Sequence, residues 1–110
     1  MTQLLIPIKP LSVNEAWKGQ RFKTDKYKAY EKHCLLILPK LKIDKDAKLK
    51  ISIEYGFSSK GSDVDNPSKL LLDILQKKYG FNDSHIYEIN LKKVIVEKKK
   101  EYSKIFIETI

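Results

Sequence analysis

Between Leu49 and Phe57 every second residue is apolar. Leu49, Ile51, Ile53, Tyr55 and Phe57 alternate with Lys50, Ser52, Glu54 and Gly56. Successive side chains of a strand point to opposite faces, so this spacing predicts a half-buried β-strand with one wet face. Such a strand needs neighbours in a sheet and a layer that covers its apolar side.

The rest of the chain supplies both. Leu4 to Ile8 reads as a short strand that Pro7 places at a sheet edge or ends. Residues 9–23 hold Pro10, Ser12, Asn14 and Gly19 with little periodicity, and read as a loop. From Thr24 to Leu38, Tyr27, Tyr30, Cys34, Ile37 and Leu38 recur at helical spacing, with Thr24 as cap and Pro39 as stop. Asn66-Pro67 reads as the start of a second helix, with Asn66 capping it and proline in the first helical position. Leu70, Leu71, Ile74 and Leu75 form the buried face of that helix, and Gly80 follows its end. Ile86 to Val96 predicts another strand. Ile89 and Leu91 are out of phase with Val94 and Val96, which predicts a bulge near Lys92-Lys93. Residues 97–103 then turn the chain into a last strand from Lys104 to Thr109. The order defines an α+β domain: a single mixed sheet of about four strands packed against two helices. At 110 residues, 1–110 forms one domain.

Lysine and arginine total 22 against 14 acidic residues, a net charge of +8. That surplus favours a polyanionic partner, nucleic acid ahead of a membrane surface. The plainer reading is that lysine serves as the solubilising residue, since Arg21 is the sole arginine. A single cysteine, Cys34, excludes an internal disulfide framework and suits a reducing cytosol. No apolar run approaches the roughly 18 residues of a membrane span. The N-terminus also lacks the apolar core of a signal peptide, so a cytoplasmic protein is expected.

Against this basic background, Gly61-Ser-Asp-Val-Asp-Asn-Pro-Ser-Lys69 sets two carboxylates two residues apart. In extended chain Asp63 and Asp65 point to the same side and can converge on one point. Two hard oxygen donors at a strand end suit Mg²⁺, which takes few protein ligands and keeps waters. Asp83, just before the next strand, is a third candidate. All three acids would meet at one sheet edge if the end near Phe57 and the start near Ile86 were neighbours. Lys69 sits one helical turn from Asp73, near Asp65, where its cation would balance the carboxylates or hold a phosphate. The plainer readings are that the acids are turn and cap residues and that Lys69 and Asp73 form a surface ion pair.

Other motifs fail. Gly56 to Gly61 has the glycine spacing of a phosphate-binding loop, but Ser62 stands where its lysine belongs. The calcium-loop pattern fails at Pro67 and Ser68. His33 and Cys34 are adjacent on one helix and diverge, so they make neither a zinc site nor a nucleophile pair. Cys34 lies on the apolar stripe and reads as core. His85 reads as a surface or strand-start residue.

The run from Asp63 to Leu75, followed by Asn82-Asp83-Ser-His-Ile86, resembles the RusA-like Holliday junction resolvases of bacteria and their prophages. The N-terminal part, with Pro10, Ser12 and Asn14 leading to a helix, is similar too. The resemblance implies a homodimeric, Mg²⁺-dependent endonuclease that resolves four-way DNA junctions by paired nicks in recombination and repair. It implies Asp63, Asp65 and Asp83 as catalytic acids and metal ligands, and Lys69 as the catalytic lysine, with Asn66 and Asp73 in support. One departure stands out: many members have two aspartates where this chain has Asn82-Asp83. Lys18, Arg21, Lys23, Lys26, Lys92 and Lys93 are the candidate DNA contacts. Two other classes stay open. One is a branched-DNA or single-strand-binding protein without catalysis, and the other a nuclease of the same fold acting on forks or flaps.

Overall fold

The computed structural model describes residues 2–12, 15, 17, 18 and 22–110, with 17, 18 and 22 described by backbone alone. The elements run β1 (Thr2–Ile6), β2 (Trp17–Lys18), β3 (Phe22–Lys23), α1 (Asp25–Ile37), β4 (Leu49–Phe57), α2 (Ser68–Tyr79), a 3₁₀ turn (Asp83–His85), β5 (Ile86–Ile95) and β6 (Tyr102–Thr109). The main sheet is mixed, in the order β1-β6-β4-β5, and α1 and α2 complete the α+β fold among the described residues.

β4 is the predicted amphipathic strand, paired antiparallel to β6 and parallel to β5. Its apolar residues join Leu4 and Ile6 of β1, Ile105 and Ile107 of β6, Tyr27, Tyr30 and Cys34 of α1, and Leu70, Leu71, Ile74 and Leu75 of α2 in one core. At about 25 cal/mol per Å² of apolar surface, this burial is the main force that holds the helices on the sheet. Thr24 caps α1 as expected, its hydroxyl accepting from the Tyr27 amide at 3.2 Å. Cys34 is fully buried, and burial pushes its thiol up to about 11, which keeps it protonated and inert.

Among the described residues, no helix of the core packs on the other face of the sheet. Lys50, Ser52 and Glu54 of β4, Lys104, Phe106 and Glu108 of β6, and Glu88, Asn90 and Lys92 of β5 share it by register. Lys50 pairs with Glu88 at 3.1 Å, and Glu54 draws Lys92 and Lys104 to 3.8 Å each. Tyr102 lies across Gly56 and donates to Glu54 at 2.6 Å. A Cβ on Gly56 would sit 2.5 Å from the Tyr102 ring, so the close approach requires glycine.

Several local expectations are corrected. β1 ends before Pro7 and starts at Thr2, two residues ahead of the predicted Leu4. The stretch read as a loop contains a short antiparallel ribbon, with Trp17 opposite Lys23 and Lys18 opposite Phe22. Asn66 does not cap α2. Asp65 to Ser68 first form a turn, with the Ser68 amide on the Asp65 carbonyl at 3.1 Å, and the helix starts after Pro67 without a side-chain cap. Lys92 and Lys93 pair regularly with Glu54 and Tyr55. The register irregularity lies opposite Leu49 and Lys50, at Tyr87. β6 begins at Tyr102, two residues before the predicted start.

Candidate active site

Asp63 and Asp65 sit in the connection from β4 to α2, and Val64 between them packs against the core. Both flanking aspartates remain exposed. The chain bends at Val64 and Asp65, so Val64 turns inward as a partial anchor between two exposed acids.

Three contacts pin this connection. Ser58 donates to Glu101 at 2.8 Å, tying its start to the β5–β6 turn. Lys93 of β5 donates from one ammonium to the carbonyls of Lys60 and Ser62, both at 2.9 Å. The buried Tyr55 hydroxyl and Ser68 hydroxyl share a hydrogen bond of 2.8 Å, which fastens the end of β4 to the first residue of α2. Burial drives the Tyr55 hydroxyl well above its ordinary pKa, so it stays protonated in that bond. Beside the connection, a cleft of about 390 Å³ is lined by Asp63, Asn66, Gly61, Ser62, Ser12 and Lys9 among others. Glu15 also lines it. Lys9, Ser12 and Glu15 come from the N-terminal segment, where the sequence pointed to no residue of the acidic site.

α2 carries a polar row on its open side: Lys69, Asp73 and Gln76, at helical spacing. Gln76 accepts from the Asp83 amide at 3.0 Å, which holds the 3₁₀ turn against this row. Burial by its surroundings raises the Asp73 pKa, Lys69 opposes that shift, and Asp83 adds to it. The row therefore links Lys69 to Asp83 electrostatically. Asp83 does not join Asp63 and Asp65 at the end of β4. The two strands are neighbours but parallel, with Leu49 opposite Ile86, so β5 begins beside the start of β4. Among the described residues, no three His, Cys, Asp or Glu side chains stand together as a ready metal cage. The donor chemistry of Asp63 and Asp65 fits a hard cation held by two carboxylates with water completing its shell.

Four of the candidate DNA contacts have partners within the chain. Lys23 pairs with Glu31 at 3.0 Å and stands 4.9 Å from the centre of the Tyr27 ring. Lys26 lies 3.7 Å from Glu15, Lys92 lies 3.8 Å from Glu54, and Lys93 is committed to the two carbonyls. Lys18 falls in β2 with only its backbone described, and Arg21 lies outside the described residues.

A mixed sheet with helices on one face and an acid-bearing turn after its central strand defines the class of protein. The family model for endodeoxyribonuclease RusA matches residues 7–108, and the chain belongs to that family. The family implies a Holliday-junction-resolving endonuclease acting on branched DNA, and its members are generally dependent on divalent metal. A comparison with curated proteins found no match. No helix among the described residues is long and apolar enough to cross a membrane.

Proposed function

We propose that this chain is a cytoplasmic, Mg²⁺-dependent endodeoxyribonuclease that resolves four-way junctions by paired nicks, as a homodimer, in recombination and repair. The observation that carries the reading is the pair of exposed carboxylates flanking the half-buried Val64, on a connection pinned from both sides. In a chain with net charge +8, exposed acids at one turn run against attraction to DNA unless they serve chemistry there.

Asp63 and Asp65 are the residues that would hold the metal, with Asp83 as the third catalytic acid at the far end of the polar row on α2. When bound, Mg²⁺ supplies an activated water and charge stabilisation at the scissile phosphate. Lys69, exposed on α2 and electrostatically coupled to Asp73, would orient the phosphate and offset the charge that grows on its oxygens. Asn66 and Asp73 support from either side, Asn66 at the cleft wall and Asp73 by holding Lys69 electrostatically. Cutting two opposed strands of a two-fold junction calls for two such sites, and the chain has one.

Asp65→Asn tests the reading. It keeps the size and the hydrogen-bond acceptor and removes one charge. Metal-free junction binding should be equal or tighter, because repulsion between carboxylate and phosphate is relieved. Cleavage in Mg²⁺ should nearly vanish, with the melting temperature retained. Asp63→Asn and Asp83→Asn should behave alike, and Asp44→Asn should not. Cutting by Asp65→Asn at the wild-type rate would leave the acids as turn residues and favour a DNA-binding protein without catalysis.

A further inference from the structure

β5 ends the main sheet on one side, and no strand covers its outer edge among the described residues. It is 10 residues long. Natural sheets keep free edges short, charged or bent, because unpaired amides and carbonyls invite another strand. Tyr87, Ile89 and Ile95 on it are 65%, 42% and 43% exposed.

The sequence of β5 is self-complementary about Asn90. With a second copy laid antiparallel and Asn90 opposite Asn90, Glu88 faces Lys92 and Ile89 faces Leu91, each pair occurring twice. These pairs respect the faces of the sheet. Glu88, Asn90 and Lys92 are registered with Lys50, Ser52 and Glu54 on the open side, whereas Ile89 and Leu91 are registered with Ile51 and Ile53 on the helix side. Moving the centre by one residue leaves both charges unmatched. Moving it by two sets Lys92 against Lys92, or Glu88 against Glu88. Within one chain the Glu88 side chain remains 51% exposed beside Lys50, and the Lys92 side chain 72% exposed beside Glu54. Both can therefore take a second partner.

We propose that two copies of this chain pair through β5, antiparallel about a two-fold axis at Asn90, so that one continuous sheet runs through both. This deepens the homodimer of the reading above by naming its surface, and its test uses no DNA. Light scattering and sedimentation of the full chain should find a dimer at micromolar concentration. Lys92→Glu sets like charges opposite each other twice per dimer and should weaken dimerisation roughly ten- to hundred-fold. Glu88→Lys should do the same. The combined Glu88→Lys and Lys92→Glu variant restores opposite charges in exchanged places and should recover the dimer, which a misfolded chain cannot do. Asn90→Cys should cross-link under mild oxidation, because directly opposed strand residues lie within disulfide reach. The native Cys34 is buried and does not compete. A wild-type chain that stays monomeric overturns the proposal. So does a dimer that ignores both charge reversals and leaves Asn90→Cys un-cross-linked. A monomer would also remove the homodimer from the reading above, whereas a dimer through another surface would leave it standing; whether the chain cuts at all is decided separately by the Asp65→Asn assay.

Discussion

Replacing Lys93 with methionine keeps a long unbranched side chain on β5 and removes its ammonium. Two hydrogen bonds of 2.9 Å, to the carbonyls of Lys60 and Ser62, are lost. Both are exposed to solvent, so each contributes about 0.5–1 kcal/mol, and the pair about 1–2 kcal/mol. That energy acts on the connection bearing Asp63 and Asp65 and leaves the core untouched, so the melting temperature should fall by a few degrees at most. Local opening of the connection should become roughly 5–30 times more frequent. Amide exchange across residues 59–65 should quicken by that factor, and single-turnover cleavage at saturating protein should fall by a similar one. Junction affinity and its salt dependence should change little, because an ammonium held by carbonyls makes no phosphate contact. Lys93→Arg should restore much of the protection. The reasoning is refuted if exchange stays at the wild-type rate while affinity drops and the salt slope falls by about one, which is the signature of a phosphate-binding lysine.

Lys69→Ala should slow cleavage by roughly two orders of magnitude with little loss of junction affinity, read by single-turnover kinetics against a binding isotherm. Burial alone would raise the Glu31 carboxyl, but hydrogen bonds from Lys23 and Lys77 hold it below its ordinary value. A depressed carboxylate contributes stability that is present above its unfolded pKa and lost as pH falls through its folded one. Glu31→Gln should therefore cost roughly 1–3 kcal/mol at pH 7, and its melts should converge with wild type only once the pH has fallen below the ordinary glutamate range; a gap that persists in acid would make Glu31 a packing residue only. Gly56→Ala drives a methyl into the Tyr102 ring and should cost roughly 1–3 kcal/mol, much of it recovered by adding Tyr102→Ala. Equal destabilisation with and without Tyr102 would place the strain elsewhere.

β4 was legible because its period of two coincides with real burial on one side, and α1 because Thr24 and Pro39 bracket a helical stripe. The start of α2 was misplaced for a chemical reason: Asp, Asn and Pro favour turns and helix caps alike, and here the turn comes first. The irregularity in β5 was misplaced because an edge strand is wet on much of both faces, so its apolar residues do not report a phase. The β2–β3 ribbon is too short to show any period. At the site, the spacing of Asp63 and Asp65 was visible, and so was the apolar Val64 whose anchoring role went unread. The Lys93 contacts join residues distant in sequence and leave no local trace. The position of Asp83 had a signal that was passed over. A helix between two adjacent strands makes them parallel, which sets the start of the second beside the start of the first.

The open face of the sheet carries Lys50, Lys92 and Lys104 against Glu54, Glu88 and Glu108, so by register it is neutral. The whole net charge of +8 then comes from the remainder of the chain. Such a molecule approaches a polyanion as a lopsided body whose centre of charge is displaced from its centre of mass. The field of the DNA exerts a torque that swings the neutral face outward before contact. The shortest extent of the protein is 23 Å, while screening at physiological salt acts over about 8 Å. Only the last stage of approach is oriented in this way, and at high salt a larger share of encounters begins with the wrong side forward.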